Sequence, residues 1–494
     1  MDSVDLKSRA ISGMLWTFIE KSMRYFIQFI FGIVLARLLS PDDFGVIGML
    51  AFFLALAQIF ADGGFASAII QKQECSEEDL STAFFFNNGV AIVLYICLFF
   101  LAPHIASFYH TPILTNVTRV VSISIMLSAL SAVQNAQLTK KLRFKEQSVV
   151  SIFGILLAGL AGVGLAYRGY GVWALVFQVV VGQAIMTVGF WITSKWVPKF
   201  IFSKKSFSHL WSFGSKILGS SLINAAYSNM YALFIGRKYS SQDVGIFNCG
   251  DQYARLPAQT VQDVIIKVYY PILSRFQNDN SKLLSVYKKI LCIPQFILCP
   301  VLVGSAILAK PLVELILGEQ WLPCVAIFQI ICISSLFTPL THINLNLLYV
   351  KGYTNLVLKL EMIKKPIAFV ILLSLLPFGI FPMAIGKAVY EFIAFSINCY
   401  YTSRILNYGL AQQLKEILPI VINSSIMGVF VYFTANSFSS PIFKILVGIF
   451  GGGLFYIFME TITKEKSFLE IKAYFKERIK KKNKDCKWSK YDKN

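Results

Sequence analysis

Charge is scarce in this chain of 494 residues: only 15% are Asp, Glu, Lys or Arg, against about 25% in soluble proteins. That shortage, with a mean hydropathy of +0.63, excludes an ordinary globular protein. CxxC pairs and His/Cys clusters are missing, so the nine cysteines indicate neither a disulfide framework nor a metal site. Seven of them (Cys97, Cys249, Cys292, Cys299, Cys324, Cys332 and Cys399) fall in apolar runs, where cysteine acts as a small hydrophobe. HExxH, GxSxG and GxxxxGK[ST] are all absent, so the sequence points to no hydrolase, no ATP hydrolysis, no catalytic residues and no cofactor. A cleavable signal is lacking too. The first apolar stretch is interrupted by Glu20, Lys21 and Arg24, with no small-residue cleavage site, and reads as a retained helix.

Apolar sequence is what the chain has in quantity. Runs of roughly 20 apolar residues recur along it, the length a helix needs to cross about 30 Å of hydrocarbon. A transmembrane β-barrel would alternate over segments of about 10 residues instead. The pattern predicts an all-α polytopic membrane protein with fourteen spans, near 12–36, 44–70, 82–103, 117–138, 147–167, 171–193, 209–236, 243–271, 290–309, 321–349, 356–376, 380–402, 416–436 and 441–461. Connections are short, with no room for a folded domain outside the membrane.

Basic residues set the orientation, because loops rich in Lys and Arg stay cytoplasmic. Even-numbered connections carry clusters such as Lys140, Lys141, Arg143 and Lys145, or Arg275, Lys282, Lys288 and Lys289. Odd-numbered ones carry only Arg37, Arg168, Arg237, Lys238, Lys310 and Lys444. Both termini are expected in the cytoplasm, which requires an even number of spans. The net charge of +20 is concentrated in the same places, with 12 of 46 basic residues after Thr463. That tail, 463–494, reads as the start of an amphipathic helix on anionic lipid, not as a nucleic-acid surface.

One turn is written twice. LARLLSPDDFGVIG at 35–48 and IGRKYSSQDVGIFN at 235–248 align at an offset of 200, matching Arg37 with Arg237, Ser40 with Ser240, Asp43 with Asp243 and Gly45 with Gly245. Each copy links an odd span to the next even one. Six spans separate them, so both face the same way, as in a parallel repeat of two six-helix bundles. The expected organisation is a bundle at 1–208, a second at 209–410, two added helices at 411–462 and the basic tail.

These features resemble the polysaccharide branch of the multidrug/oligosaccharidyl-lipid/polysaccharide exporter superfamily. The resemblance rests on the 6+6+2 pattern, the LARLLSPDDFG turn and the following Asp62, Gly64, Phe65, Ala68, Ile69, Ile70 and Gln71. It is strong over about the first 100 residues and is closest to Wzx-type O-antigen flippases of the colanic-acid and teichuronic-acid exporter group. The resemblance implies a bacterial cytoplasmic-membrane exporter of a polyprenyl-pyrophosphate-linked glycan, working by alternating access of two bundles. Membrane lipids and a polysaccharide polymerase are its implied partners, and a monomer its implied state.

Ionisable residues inside spans are expensive and mark cavities or partners. Two helices repeat acid, Arg and Gln at i, i+4 and i+8: Glu20–Arg24–Gln28 and Asp251–Arg255–Gln259. Such positions share about 80° of helical arc, giving each span a polar stripe, and Gln28, Gln259, Gln58 on the second span and Gln262 on the eighth are expected to line a polar cavity. Arg24 and Arg255, with Lys216 and Lys387, are candidates for binding an anionic headgroup, because guanidinium forks match phosphate. The alternative is that each Arg only neutralises its own carboxylate, Glu20 or Asp251. Asp62, Glu391 and Asp263 are candidates for ion coupling, since a carboxylate held away from water can load and release a proton. A multidrug exporter of cations, or a membrane-embedded glycosyltransferase or ligase, are the competing functions. The basic residues argue against the first and the short loops against the second.

Overall fold

Fourteen long helical segments follow one another in the computed structural model, which describes residues 3–265, 269–470 and 472. Side chains at 3–15, 17–19, 22, 263, 264, 270 and 271 are outside that description. So are most of the tail predicted to be an amphipathic helix, Lys267, and the Asp263 side chain.

The segments are α1 (Ser3–Leu38), α2 (Pro41–Asp62), α3 (Glu77–Phe108), α4 (Leu114–Lys140), α5 (Phe144–Tyr167), α6 (Val172–Ser194) and α7 (Lys204–Lys238). Then come α8 (Ser241–Val264), α9 (Asn280–Ile307), α10 (Glu319–Val350), α11 (Thr354–Leu375), α12 (Ile380–Leu406), α13 (Leu410–Asn436) and α14 (Pro441–Thr463). Among the described residues, ten are long and apolar enough to cross a membrane. The other four, α1, α7, α8 and α11, are each at least 22 residues long but carry charged or polar side chains along their length.

The second expected span, 44–70, is cut short. Helix α2 stops at Asp62 because Gly63 and Gly64 take φ of +58° and +73°, and a separate helix, Phe65–Gln71, follows. Only glycine adopts that left-handed pair without strain. A β-carbon at Gly64 would also overlap the Gly214 carbonyl of α7.

The chain divides into two compact units, Met1–Asn248 and Cys249–Asn494. The first unit therefore includes α7 and the first two turns of α8. Its core gathers Phe65, Ile69, Phe84, Val133 and Leu210.

Both copies of the repeated turn lie in this unit and have one geometry. Ser40 Oγ donates to the Asp43 carboxylate at 2.8 Å, and Asp43 N donates back to it at 3.2 Å. Ser240 and Asp243 do the same at 2.6 and 3.1 Å. This capping box satisfies amide donors that a helix start leaves open. The copies also touch. A β-carbon at Gly45 would overlap the Ser241 carbonyl, and one at Gly245 would overlap the Pro41 carbonyl. Exchanging each position with the one 200 residues away turns one contact into the other, so the crossing has a local two-fold. Ser241 Oγ donates to Asp42 across it.

The second unit packs around Tyr287, Leu291, Ile343, Leu347, Phe395 and Ile420. A polar knot is buried in it. Asn344 and Gln413 exchange amide hydrogen bonds at 3.0 Å, and Thr402 Oγ1 donates to Asn344 Oδ1 at 2.6 Å. The knot ties α10, α12 and α13 together through groups that cannot be left unpaired in an apolar interior.

Candidate functional site

In the first unit a cavity of about 460 Å³ opens among otherwise apolar helices. Helix α1 contributes Glu20 and Arg24, and α2 contributes Gln58 and Asp62. Both pairs are spaced i, i+4, so each helix sends one narrow polar face to the same space. Arg24 Nη2 donates to Glu20 Oε1 at 2.8 Å, while its Nε is buried without a hydrogen-bond partner. The guanidinium thus has one donor spent on its own helix and another unspent. Gln58 Nε2 donates to Ser128 Oγ at 2.6 Å, and the Asp62 carboxylate lies close to the backbone N–H groups of Gly64 and Ala66.

Sequence reasoning missed the rest of the wall. Ser128, Ser131 and Asn135 on α4 line it with Gln147 on α5 and Gln183 on α6. The signal was present at i, i+3 and i+7 on α4, but single neutral polar residues are common in spans and do not stand out. Gln147 Nε2 donates to Asn135 Oδ1 at 2.6 Å, which holds the two helices in register at the cavity. With Glu20 and Asp62 against Arg24, the lining carries a formal charge of −1.

The second unit concentrates charge differently. Asp251 on α8 accepts from Lys387 on α12 at 2.5 Å and lies 3.7 Å from Arg255. Glu391, one turn beyond Lys387, is within electrostatic reach of both bases. On α11, Glu361 pairs with Lys364 at 2.6 Å and with Lys365 at 3.6 Å. Gln262 on α8 donates to the His342 ring at 2.8 Å. Four bases (Arg255, Lys364, Lys365, Lys387) against three acids (Asp251, Glu361, Glu391) leave this cluster at a formal +1.

Three candidates stand apart. Gln28 and Gln259, the ends of the two stripes, are exposed, as is Lys216, next to the cavity-lining Ile217. The side chain of Asp263 lies outside the described residues. No group of three or more His, Cys, Asp or Glu is placed to hold a metal among the described residues.

Comparison with known proteins gives these sites a setting. A family profile described as "Polysaccharide biosynthesis protein" matches residues 34–326. The chain is 23% identical over 462 residues to the teichuronic acid biosynthesis protein TuaB of Bacillus subtilis (strain 168), covering 92% of this chain and 95% of that one. It is 24% identical to the lipopolysaccharide biosynthesis protein WzxC of Escherichia coli (strain K12), over 73% and 74% of the two chains. The succinoglycan biosynthesis transport protein ExoT of Rhizobium meliloti (strain 1021) is also 24% identical, over 62% of each chain.

Among solved structures, the fold matches a lipid II flippase, MurJ, in an inward closed conformation. The TM-score is 0.75 at 18% identity, over 92% of this chain and 98% of the flippase. A multidrug resistance MATE family transporter of the MOP superfamily, inward-facing, matches with a TM-score of 0.57 at 14% identity, over 78% and 96%. The relatives described by activity are transporters and flippases, not enzymes.

Proposed function

Because the chain belongs to the polysaccharide biosynthesis protein family, we propose that it flips a polyprenyl-pyrophosphate-linked oligosaccharide across the bacterial cytoplasmic membrane. The coarse part is plain: this is a multi-pass membrane protein with the MOP-superfamily fold and a transport role in polysaccharide biosynthesis. The substrate and the mechanism are our reading. In this reading the chain crosses the membrane fourteen times, with both termini in the cytoplasm because the basic connections stay there. Bundles at 1–208 and 209–410 alternate access, and 411–462 adds two helices. The two-fold crossing of the repeated turns supports a parallel repeat.

One observation carries the proposal. A polar cavity containing Arg24, with an unspent buried donor, lies inside an apolar helical unit. A sugar needs such hydrogen-bonding walls to cross hydrocarbon, and a diphosphate needs a guanidinium. Arg24 in the first unit and Arg255 in the second are each candidates for the anionic headgroup, with Lys387 and Lys216 as further positive candidates. Asp62 is the first choice for coupling to an ion gradient, ahead of Glu391 and Asp263. The protein works as a monomer among membrane lipids and hands its cargo to polymerase machinery. A deletion strain should accumulate lipid-linked repeat units on the inner leaflet. Wild-type protein should clear them and Arg24→Ala should not. A deletion strain with no such accumulation overturns the proposal.

The formal −1 of the cavity favours a second reading, export of cationic drugs by the same fold. That reading expects the deletion strain to become sensitive to lipophilic cations while its surface polysaccharide is unchanged.

A further inference from the structure

The polar cavity of the first unit has an apolar neighbour. A groove of about 440 Å³ runs between α2 and α3, lined by Phe60 on α2 and on α3 by Phe85, Phe86, Gly89 and Val93 among others, all of them apolar. Phe60, Gly89 and Val93 are exposed, so the groove opens on the outer surface of the unit.

Its shape is written in α3. Phe85, Gly89 and Val93 recur every four residues and so share one face of the helix. From Phe85 to Val93 they span about 12 Å of it. Gly89 is the middle of that face, and a β-carbon there would meet nothing within 4 Å. The adjoining surface carries exposed Ile92 and Ile96, so the missing side chain cuts a notch in it. One wall of the notch is fixed. Phe86 stacks on Phe65 at 4.7 Å between ring centroids and meets Trp211 edge-on at 6.0 Å. An apolar chain lying in such a notch gains dispersion contacts that a flat surface does not offer. In a bilayer those contacts are a main source of apolar association.

Groove and cavity lie on two sides of one helix end. Ile59 and Asp62 line the cavity, whereas Phe60 lines the groove. At the break that follows, Gly64 lines the cavity, and a β-carbon on Gly63 would stand 3.2 Å from the Phe86 ring. The polar and apolar compartments therefore meet at two residues without side chains. That arrangement suits a molecule with a polar head and a long apolar tail. The single notch suits one chain, not the pair that a phospholipid carries.

We propose that the groove between α2 and α3 seats the isoprenoid chain of the cargo while its head occupies the polar cavity. The inference rests on the transport reading, which supplies a polyprenyl carrier, and adds where that chain lies.

The test uses full-length protein in detergent with two probes. Farnesyl diphosphate with a photoreactive group on its chain carries head and tail, and methyl diphosphate carries the head alone. Illumination should label Phe60 and α3 between Phe85 and Leu94. The wild type should bind the farnesyl probe many-fold more tightly than the methyl one. Gly89→Trp fills the notch where no atom stands in the way, so its unfolding midpoint should match the wild type while the gap between the probes narrows several-fold. Val93→Trp, one turn further along the same face, should narrow it too. A full farnesyl advantage kept by both variants overturns the inference, as does labelling confined to other helices. Labelling that phosphatidylglycerol displaces as well as unlabelled farnesyl diphosphate does overturns it too, because bilayer lipid then fills the groove. The transport reading fails by a different result, a deletion strain that accumulates no lipid-linked repeat unit.

Discussion

Replacing Lys387 by methionine removes one member of a balanced set of four charges. Lys387 and Arg255 are positive, Asp251 and Glu391 negative. At 2.5 Å and an effective dielectric of about 20, the Lys387–Asp251 attraction is roughly 7 kcal/mol. Most of that is offset by the desolvation of both groups, whose side chains are only 10% and 22% exposed. Breaking such a pair nevertheless costs about 3–5 kcal/mol, because the partner stays buried and uncompensated. Arg255, 3.7 Å from Asp251, covers part of the loss, so the lower end, about 3 kcal/mol, is expected.

The sets of charges then make a sharp comparison. Lys387→Met leaves a net −1, Asp251→Asn leaves a net +1, and the double variant leaves Arg255 and Glu391 at zero. Both singles should lower the midpoint for loss of folded protein on heating by about 6–12 °C, taking about 2–4 °C per kcal/mol. The double should recover most of it. Size-exclusion of heated detergent extracts gives the midpoints, which are compared directly because two-state unfolding does not hold for a chain of two units. If the double loses as much as the two singles together, charge balance is not what holds these helices, and the reasoning fails. Export by a stable double variant then separates roles. Restored export makes Lys387 a counter-ion, and absent export makes it a ligand.

Arg24→Ala should abolish export at nearly normal protein levels, and adding Glu20→Gln should not restore it. Recovery in a complementation assay would make the pair purely structural. Asp62→Asn should stop flipping in proteoliposomes under an imposed pH gradient, whereas Asp62→Glu should retain part of it. Undiminished gradient-driven flipping by Asp62→Asn would remove this residue from coupling. Gly45→Ala should cost about 1–3 kcal/mol through overpacking, and Gly245→Ala a similar amount. Together they should cost less than their sum, because one separation of the helices relieves both overlaps. Strict additivity of the thermal shifts would refute a shared crossing.

Hydropathy made the apolar helices legible because each must offer the bilayer a continuous hydrocarbon surface. Helices α1, α7, α8 and α11 fall short of a continuous apolar surface, since side chains such as Arg24 and Asp251 dilute the signal they interrupt. Spacing was enough to put Glu20 and Arg24 on one face. It did not show that Gln58 and Asp62 meet them, because that depends on how α1 and α2 pack. Lys364 and Lys365 fall within the expected span 356–376 with no sign in the sequence of what they meet, and the structure buries Lys364 against Glu361. The left-handed conformation of Gly63 and Gly64, which ends α2 inside the expected span 44–70, was not legible in the sequence.

The crossing at Gly45 and Gly245 also constrains how this chain can change over generations. Each turn is the template against which the other is shaped: the carbonyls of Pro41 and Ser241 occupy the space that side chains at 245 and 45 would need. An inserted residue in either turn would rotate its glycine about 100° around the helix and present a side chain where only hydrogen fits. The two halves are therefore not free to drift apart here, however far the rest of their sequences diverge. A length change in one turn has to be matched in the other, and the paired glycines serve as a fixed reference for aligning the halves.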